Sequence, residues 1–359
     1  AGGYLIVSKT LTWQPYGNCL PLFTSSTSLA NDGTTLVLKD PEQHVIHSVH
    51  YRIDWFRNSY KNEGGWSLEM IDPANPCECG ANWIPSVDPA GGTPGKANSV
   101  KGLLPDESDP RLLYAFPEDT ARIRVFFNEP MDSVTQGGTA LFAVMPQVEN
   151  ITITGIIRAP PDYRSLILLA ETPLRTGVHY RLGITGKVTD CTGNIADTTH
   201  WVWFAIPGFP VQGDLVVNEI LFDPRGDGSR FIEVYNRSDK VLDFHDIILA
   251  ASKTPEITEP GAFSQVSGNR LIFPGDYFAL AHDPDDLKAR YRMCYPDLVL
   301  EMDNFPSVGN DSGYIALLSR GQEETIDKIR YSETMHYPLL SSNEGVSLER
   351  VHPDVPSDY

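Results

Sequence analysis

Nine histidines, five cysteines and 47 acidic residues bound the chemistry this 359-residue chain can carry. His44, His47 and His50 stand three apart. On a helix they would share a face and could hold a metal. The stretch reads as strand, where His44 and His50 point one way and His47 the other. Zinc needs three or four converging ligands, so the metal reading is set aside. Asp283, Asp285 and Asp286, and likewise Asp223 and Asp227, offer the oxygens that calcium takes, which leaves a structural calcium as the one cofactor to consider. The favoured alternative is that they are solvated acids at a loop or a helix start. Glu219 and Glu233 each lie in a strand that reads as buried on one face. They could mark a binding site at a sheet end. The favoured reading is structural acids bonded to backbone or to an arginine, because buried charges must be paired. Arg225-Gly226-Asp227 matches a cell-adhesion tripeptide, too short to separate from chance. The chain has no G-x-x-x-x-G-K loop, no G-x-S-x-G and no H-E-x-x-H. No catalytic residue is assigned, and the chain is expected not to be an enzyme.

The cysteines are Cys19, Cys77, Cys79, Cys191 and Cys294. Cys77-Glu78-Cys79 has no second pair with which to build a zinc site. Disulfides would suit an extracellular setting, and Cys19 with Cys77 or Cys79 is one pairing to consider. An odd count leaves a free thiol, or a partner outside the chain. The net charge of −19 argues against a general attraction to nucleic-acid phosphates or anionic lipid and favours solubility. No apolar run approaches the ~20 residues needed to cross a bilayer.

The elements that carry these residues repeat. Asn31-Asp32-Gly33 and Asn310-Asp311-Ser312-Gly313 are turn signals, each followed by a β-rich run. Upstream, Gly2-Gly3-Tyr4-Leu5-Ile6-Val7 answers Pro274-Gly275-Asp276-Tyr277-Phe278-Ala279-Leu280. Ile46 to Tyr51 answers Ile326 to Tyr331, and Ser67-Leu68-Glu69 answers Ser347-Leu348-Glu349. The three blocks from the turn onward keep an offset of 279 or 280. The chain therefore carries two copies of one β-domain with something between them.

The second copy resembles a family. Asn218-Glu219-Ile220-Leu221, then Phe231-Ile232-Glu233-Val234-Tyr235-Asn236, and the closing Gly345-Val346-Ser347-Leu348-Glu349-Arg350, are similar to lamin-tail domains. The resemblance implies a compact immunoglobulin-like sandwich, found in nuclear lamins and in secreted or surface proteins of bacteria. Between the copies, Phe127-Asn128-Glu129-Pro130-Met131-Asp132 and Asp190-Cys191-Thr192-Gly193-Asn194 resemble bacterial immunoglobulin-like domains of surface-layer proteins and secreted enzymes. Short strands punctuated by turns throughout fit that reading.

The expected fold is all-β, tandem immunoglobulin-like β-sandwiches. Residues 1–98 are the later part of a lamin-tail-like domain, 99–112 a linker, 113–210 the bacterial immunoglobulin-like domain and 214–359 a second lamin-tail-like domain that stops short. Residues 284–291 read as the one helix, with acids at its start. The chain opens directly into strand-like sequence and reads as processed or excised. The first copy has no counterpart of residues 214–273, so its opening strands are expected from an upstream segment or from a protein partner that adds strands. The expected role is a non-catalytic scaffold and spacer of a bacterial cell envelope or secreted fraction. The alternative is an accessory region of a larger secreted hydrolase, a nuclease or phosphoesterase. These roles rest on resemblance, since a fold does not give a function.

Overall fold

The computed structural model describes residues 3–23, 25, 29–43, 45–75, 79–131, 138–145, 151–159, 163–256, 263–264, 268–293, 295–302, 304–321 and 324–355. Of Trp13, Cys79, Phe263 and Ser264 it describes the backbone alone. His44, Cys77, Asp132, Cys294 and Tyr359 lie outside the described residues. The chain folds as two compact units, Ala1–Pro173 with His179–Phe204, and Leu174–Val178 with Ala205–Tyr359. No described helix is long and apolar enough to cross a membrane.

The first unit opens with six short strands: β1 (Ile6–Ser8), β2 (Cys19–Pro21), β3 (Gly33–Lys39), β4 (Val45–Arg52), β5 (Leu68–Met70) and β6 (Trp83–Pro85). They pair as three separate two-stranded ladders, β1–β2 parallel and the other two antiparallel. Among the described residues before 99, no apolar side chain is buried. The buried side chains there are polar: Ser8, Glu69, Asp72, Asn75, Asn82 and Ser86. Asn82 holds the strand ends together. Its Oδ1 accepts from the Asp72 N–H at 2.7 Å, and its Nδ2 donates to the Asp72 and Asn75 carbonyls at 2.7 and 2.6 Å. Cys19 is a free thiol beside Ser8 Oγ, at 3.3 Å, so the pairing of Cys19 with Cys77 or Cys79 is not made. Cys191 is disulfide-bonded.

The rest of this unit is a two-sheet sandwich. Its strands are β7 (Leu112–Pro117), β8 (Arg122–Phe127), β9 (Phe142–Met145), β10 (Ile153–Ala159), β11 (Ser165–Ala170), β12 (Tyr180–Ile184) and β13 (Trp201–Phe204). The order β10-β11-β8-β7 makes one sheet and β13-β12-β9 the other. In β8, Ile123, Val125 and Phe127 alternate inward, as a half-buried strand requires. Leu166 and Leu168 of β11, Leu182 of β12 and Phe204 of β13 are likewise fully buried. Leu112, read from sequence as the end of a linker, is a fully buried core residue of β7.

The second unit contains β14 (Leu215–Leu221), β15 (Phe231–Asn236), β16 (Leu242–Asp243), β17 (Ile247–Ser252), β18 (Phe263–Ser264), β19 (Leu271–Ile272), β20 (Tyr277–Ala281), α1 (Pro284–Arg290), β21 (Val299–Glu301), β22 (Ser312–Ser319), β23 (Thr325–Ser332) and β24 (Leu348–Glu349). A five-stranded sheet, β21-β20-β15-β14-β24, packs on a four-stranded sheet, β18-β17-β22-β23. Val217, Ile220, Ile232, Val234, Phe278 and Leu280 from the first meet Leu249, Ile315, Leu317 and Ile326 from the second. Asp327 and Arg350 join the sheets: Arg350 Nη2 lies 3.0 Å from Asp327 Oδ2, Arg350 Nε donates to the Val217 carbonyl, and the Val217 N–H donates to Asp327. Helix α1 stands where the sequence places it, among the described residues the one α-helix.

Asp243 is buried and accepts from the His245 N–H at 2.9 Å, capping a short 3₁₀ turn. Burial lifts its carboxyl from 3.8 to about 6. A folded-state value above the unfolded one favours folding at low pH, and that contribution is lost as pH rises through about 6. The Asp243→Asn variant keeps an acceptor for His245 and removes the buried charge. It is expected to raise the unfolding free energy of this unit by about 2 kcal/mol at pH 7.5 and to change it little at pH 4. Thermal unfolding of the two proteins at both pH values checks this.

Candidate functional site

The two copies read from the sequence can be compared strand by strand. Thr34–Tyr51, Leu36–Val49, Val37–Ser48 and Leu38–His47 are cross-strand pairs of β3 and β4. Gly313–Tyr331, Ile315–Ile329, Ala316–Lys328 and Leu317–Asp327 are the same pairs of β22 and β23 at the repeat offset. Each ladder then shifts register one residue later, after Leu38 and after Leu317. Tyr51 Oη donates to the Ala30 carbonyl at 2.7 Å and Tyr331 Oη to the Gly309 carbonyl at 2.9 Å. A 3₁₀ turn follows each hairpin, Ile53–Phe56 and Glu333–Met335. The parallel pair β1–β2 likewise matches the parallel pair β20–β21.

Local chemistry sets this shared geometry. Gly33 opens β3 at φ +146°, where a side chain would press on the Tyr51 carbonyl at 2.5 Å. Its N–H donates to Asp32 Oδ1 at 3.1 Å. The hairpin therefore forms from its own turn and tyrosine.

What differs is the cover. In the second unit β17 pairs along β22 from Ser319 to Tyr314, and β15 pairs along β20 from Ala281 to Tyr277. The matching positions in the first unit are residues 35–40 and 4–8. Among the described residues β3 pairs only with β4, and β1 only with β2. Leu38 is 60% exposed and Ile46 62%, against 0% and 1% for Leu317 and Ile326. Tyr4, Leu5, Val7 and Val37 are also exposed. Among the described residues these two edges carry exposed apolar side chains and pair with no further strand.

The residues singled out from sequence occupy other places. Asp283 caps α1, accepting from the Asp285 and Asp286 N–H groups at 3.1 and 3.0 Å. Asp286 accepts from the Ser229 N–H at 2.7 Å and pairs with Arg290 at 2.5 Å; Asp227 pairs with the same arginine at 2.9 Å. Asp285 faces Lys288 at 3.5 Å. Asp223 enters through its carbonyl, which accepts from the Gly345 N–H. Among the described residues these five do not converge as three ligands. His47 and His50 lie on β4, and His50 Nδ1 is 2.8 Å from Thr35 Oγ1.

Glu219 and Glu233 are cross-strand neighbours, and Glu349 lies opposite Glu219 on β24. Like charges in that register repel. Burial pushes the Glu219 and Glu233 carboxyls up and Glu349 adds to it, while Ser347 and Asn218 hydrogen-bond to them and hold them down. They line a cavity of about 380 Å³ with Phe231, Tyr277, Tyr291 and Tyr295. Acids beside aromatic faces offer a seat for a cationic group. Sequence reading left three other acids apart, Asp106, Glu129 and Asp190, which the fold gathers. The available signal was that Glu129 and Asp190 each sit in one of the two immunoglobulin-like motifs.

Residues 106–204 match the family model of the bacterial Ig-like domain, and that stretch is such a domain. Among solved structures, the N-terminal part of the bacterial S-layer protein SbsC is similar over 63% of this chain and 44% of its own, at 10% identity and a TM-score of 0.26. Native alpha-2-macroglobulin from Escherichia coli, spanning domains MG0-NIE-MG1, is similar over 68% of this chain and 90% of its own, at 12% identity and a TM-score of 0.23. This chain thus spans less than half the length of the S-layer structure. Scores this low do not extend the assignment beyond residues 106–204. A search of curated proteins returned no match.

The contrast in cover predicts a contrast in stability. Leu317→Ala empties a closed core and is expected to cost about 2–5 kcal/mol. Leu38→Ala, at the matching position, is expected to stay within about 0.5 kcal/mol. Denaturant unfolding of the two variants measures both values.

Proposed function

We propose that this chain is a non-catalytic, multidomain β-protein of a bacterial cell envelope or secreted fraction, and that its first block binds polypeptide by accepting strands. The observation that carries the binding role is the identical register of the two hairpins, one covered and one bare. The two copies are read as one lamin-tail-like domain, whose second copy takes its cover from residues 214–273 and whose first would take it from an upstream segment or from a partner. The bacterial setting rests on the Ig-like domain at residues 106–204. The disulfide at Cys191 fits an oxidising compartment.

The occupant is defined by the second copy: a polypeptide with strands of the β15 and β17 type. Those strands alternate between core and outer face, as in Phe231–Asn236, where Ile232, Val234 and Asn236 are buried. Backbone hydrogen bonds along β1 and β3 would supply affinity, and the exposed Leu5, Val7 and Leu38 would supply the apolar contact.

The test uses the full chain and a synthetic polypeptide of residues 231–256, which carries β15 and β17. Amide hydrogen exchange is followed as the polypeptide is added. Slower exchange at residues 4–8 and 35–40, abolished by Leu38→Lys, is the expected result. Unchanged exchange at saturating polypeptide, or pairing of two copies of the chain through β3, would overturn the reading.

A further inference from the structure

We propose that Asp106, Glu129 and Asp190 form a divalent-cation site, suited to calcium, that ties the segment before β7 to the rest of the Ig-like domain. The three carboxylates come from distant parts of the chain: Asp106 before β7, Glu129 just after β8, and Asp190 in the turn before β13. One oxygen from each lies within 4.8 Å of the others, among the described residues the one such convergence. Glu129 is 7% exposed and Asp190 1%.

Asp190 supplies the second, independent observation. Its Oδ1 accepts from the N–H groups of Thr192, Gly193 and Asn194 at 2.8, 2.6 and 2.9 Å, and from Thr192 Oγ1 at 3.0 Å. Those four bonds fix the carboxylate in place. Its Oδ2 is sealed from solvent and has no hydrogen-bond donor. A buried anionic oxygen without a partner is costly, and a cation is the partner that three gathered carboxylates call for.

The donor set chooses the ion. All three ligands are hard oxygens, which favours calcium or magnesium over zinc or copper. Cys191, next in sequence to Asp190, is disulfide-bonded and offers no thiolate. Ligands from three separate loops suit the adaptable, 6–8-coordinate shell of calcium better than the strict octahedron of magnesium. Asp106 already reaches this turn, since its Oδ2 accepts from Thr192 Oγ1 at 2.9 Å. Asn194 Nδ2 donates to the Ser108 carbonyl at 3.1 Å. A bound ion would convert these neutral contacts into a clamp on residues 106–111.

The experiment titrates calcium chloride into the full, chelator-treated chain by calorimetry, with magnesium chloride as the parallel arm. Limited proteolysis within residues 99–111 is followed in the same samples. Calcium is expected to bind with a Kd of about 10⁻³ M or tighter, the range of extracellular calcium modules, and to slow cleavage there. Asp106→Asn and Glu129→Gln are each expected to weaken that binding at least tenfold, and Asp286→Asn to leave it unchanged. Asp106 is only partly buried and lies outside the sandwich core, so its variant keeps the fold, which circular dichroism verifies. Absence of calcium binding at about 5 mM, or binding that both Asp106→Asn and Glu129→Gln leave intact, would overturn the site.

Discussion

An apolar strand face needs a second layer, and an unpaired strand edge needs a neighbour; most of this structure follows from where those needs are met. In the second unit they are met within the chain. The β22–β23 hairpin turns Ile315, Leu317 and Ile326 onto Val217, Ile232 and Phe278, and β17 closes its edge. In the first unit the same hairpin keeps its turn, its register, its register shift and its tyrosine bond, with neither cover among the described residues. Local chemistry is thus enough to set the pairing of a hairpin. Burial is a separate matter, decided by which other strands arrive.

The two copies also differ at the positions that hold β14 in the second unit. In the second unit Asp327 and Arg350 grip the backbone of β14 at Val217. The repeat offset puts His47 and Met70 at those places in the first unit. A strand at the β14 position would find no such ion pair there. The first block is held instead by polar bonds. Burial works against the charged form of Glu69, but hydrogen bonds from Ser99, Thr93 and Ser86 outweigh it and hold the carboxyl below its ordinary range. Glu69 Oε2 accepts from Ser99 N and Oγ at 2.7 and 2.6 Å. Hydrogen bonds to a carboxylate are among the stronger ones, so a few can order a block that lacks an apolar core.

Much of this was legible in the sequence, for reasons specific to each element. The repeat showed because turn residues and a tyrosine hydrogen-bonded back to the turn leave few substitutes. β8 showed through alternation, β14 and β15 as β-rich runs, and α1 through the acids at its start. The short strands β2 and β21 did not show, because a parallel pair of three residues has no turn to announce it. Leu112 was misplaced because Pro110 and the polar run before it hide the start of β7. Cys19 was given candidate partners because all three cysteines lie in one expected domain, whereas its sulfur lies by Ser8 and Thr10. The acids were hardest: Asp106, Glu129 and Asp190 are brought together only by the return of β7, β8 and the turn after β12 to one end of a sandwich.

A comparison of the two acidic clusters separates a cap from a ligand. Around α1, each acid is matched. Asp286 has a backbone donor on one oxygen and Arg290 on the other, and Arg290 serves Asp227 as well. Asp283 spends its oxygen on the first turn of the helix. Sequence singles out the acids around α1, which stand close together, and leaves Asp106, Glu129 and Asp190 apart. The distinction lies at the second oxygen of a buried carboxylate. When donors reach only one oxygen, as at Asp190, the turn is satisfied and the charge is not. Satisfying a turn takes neutral N–H groups; satisfying the charge takes a positive ion, and that requirement becomes visible only once burial and hydrogen bonding are known atom by atom.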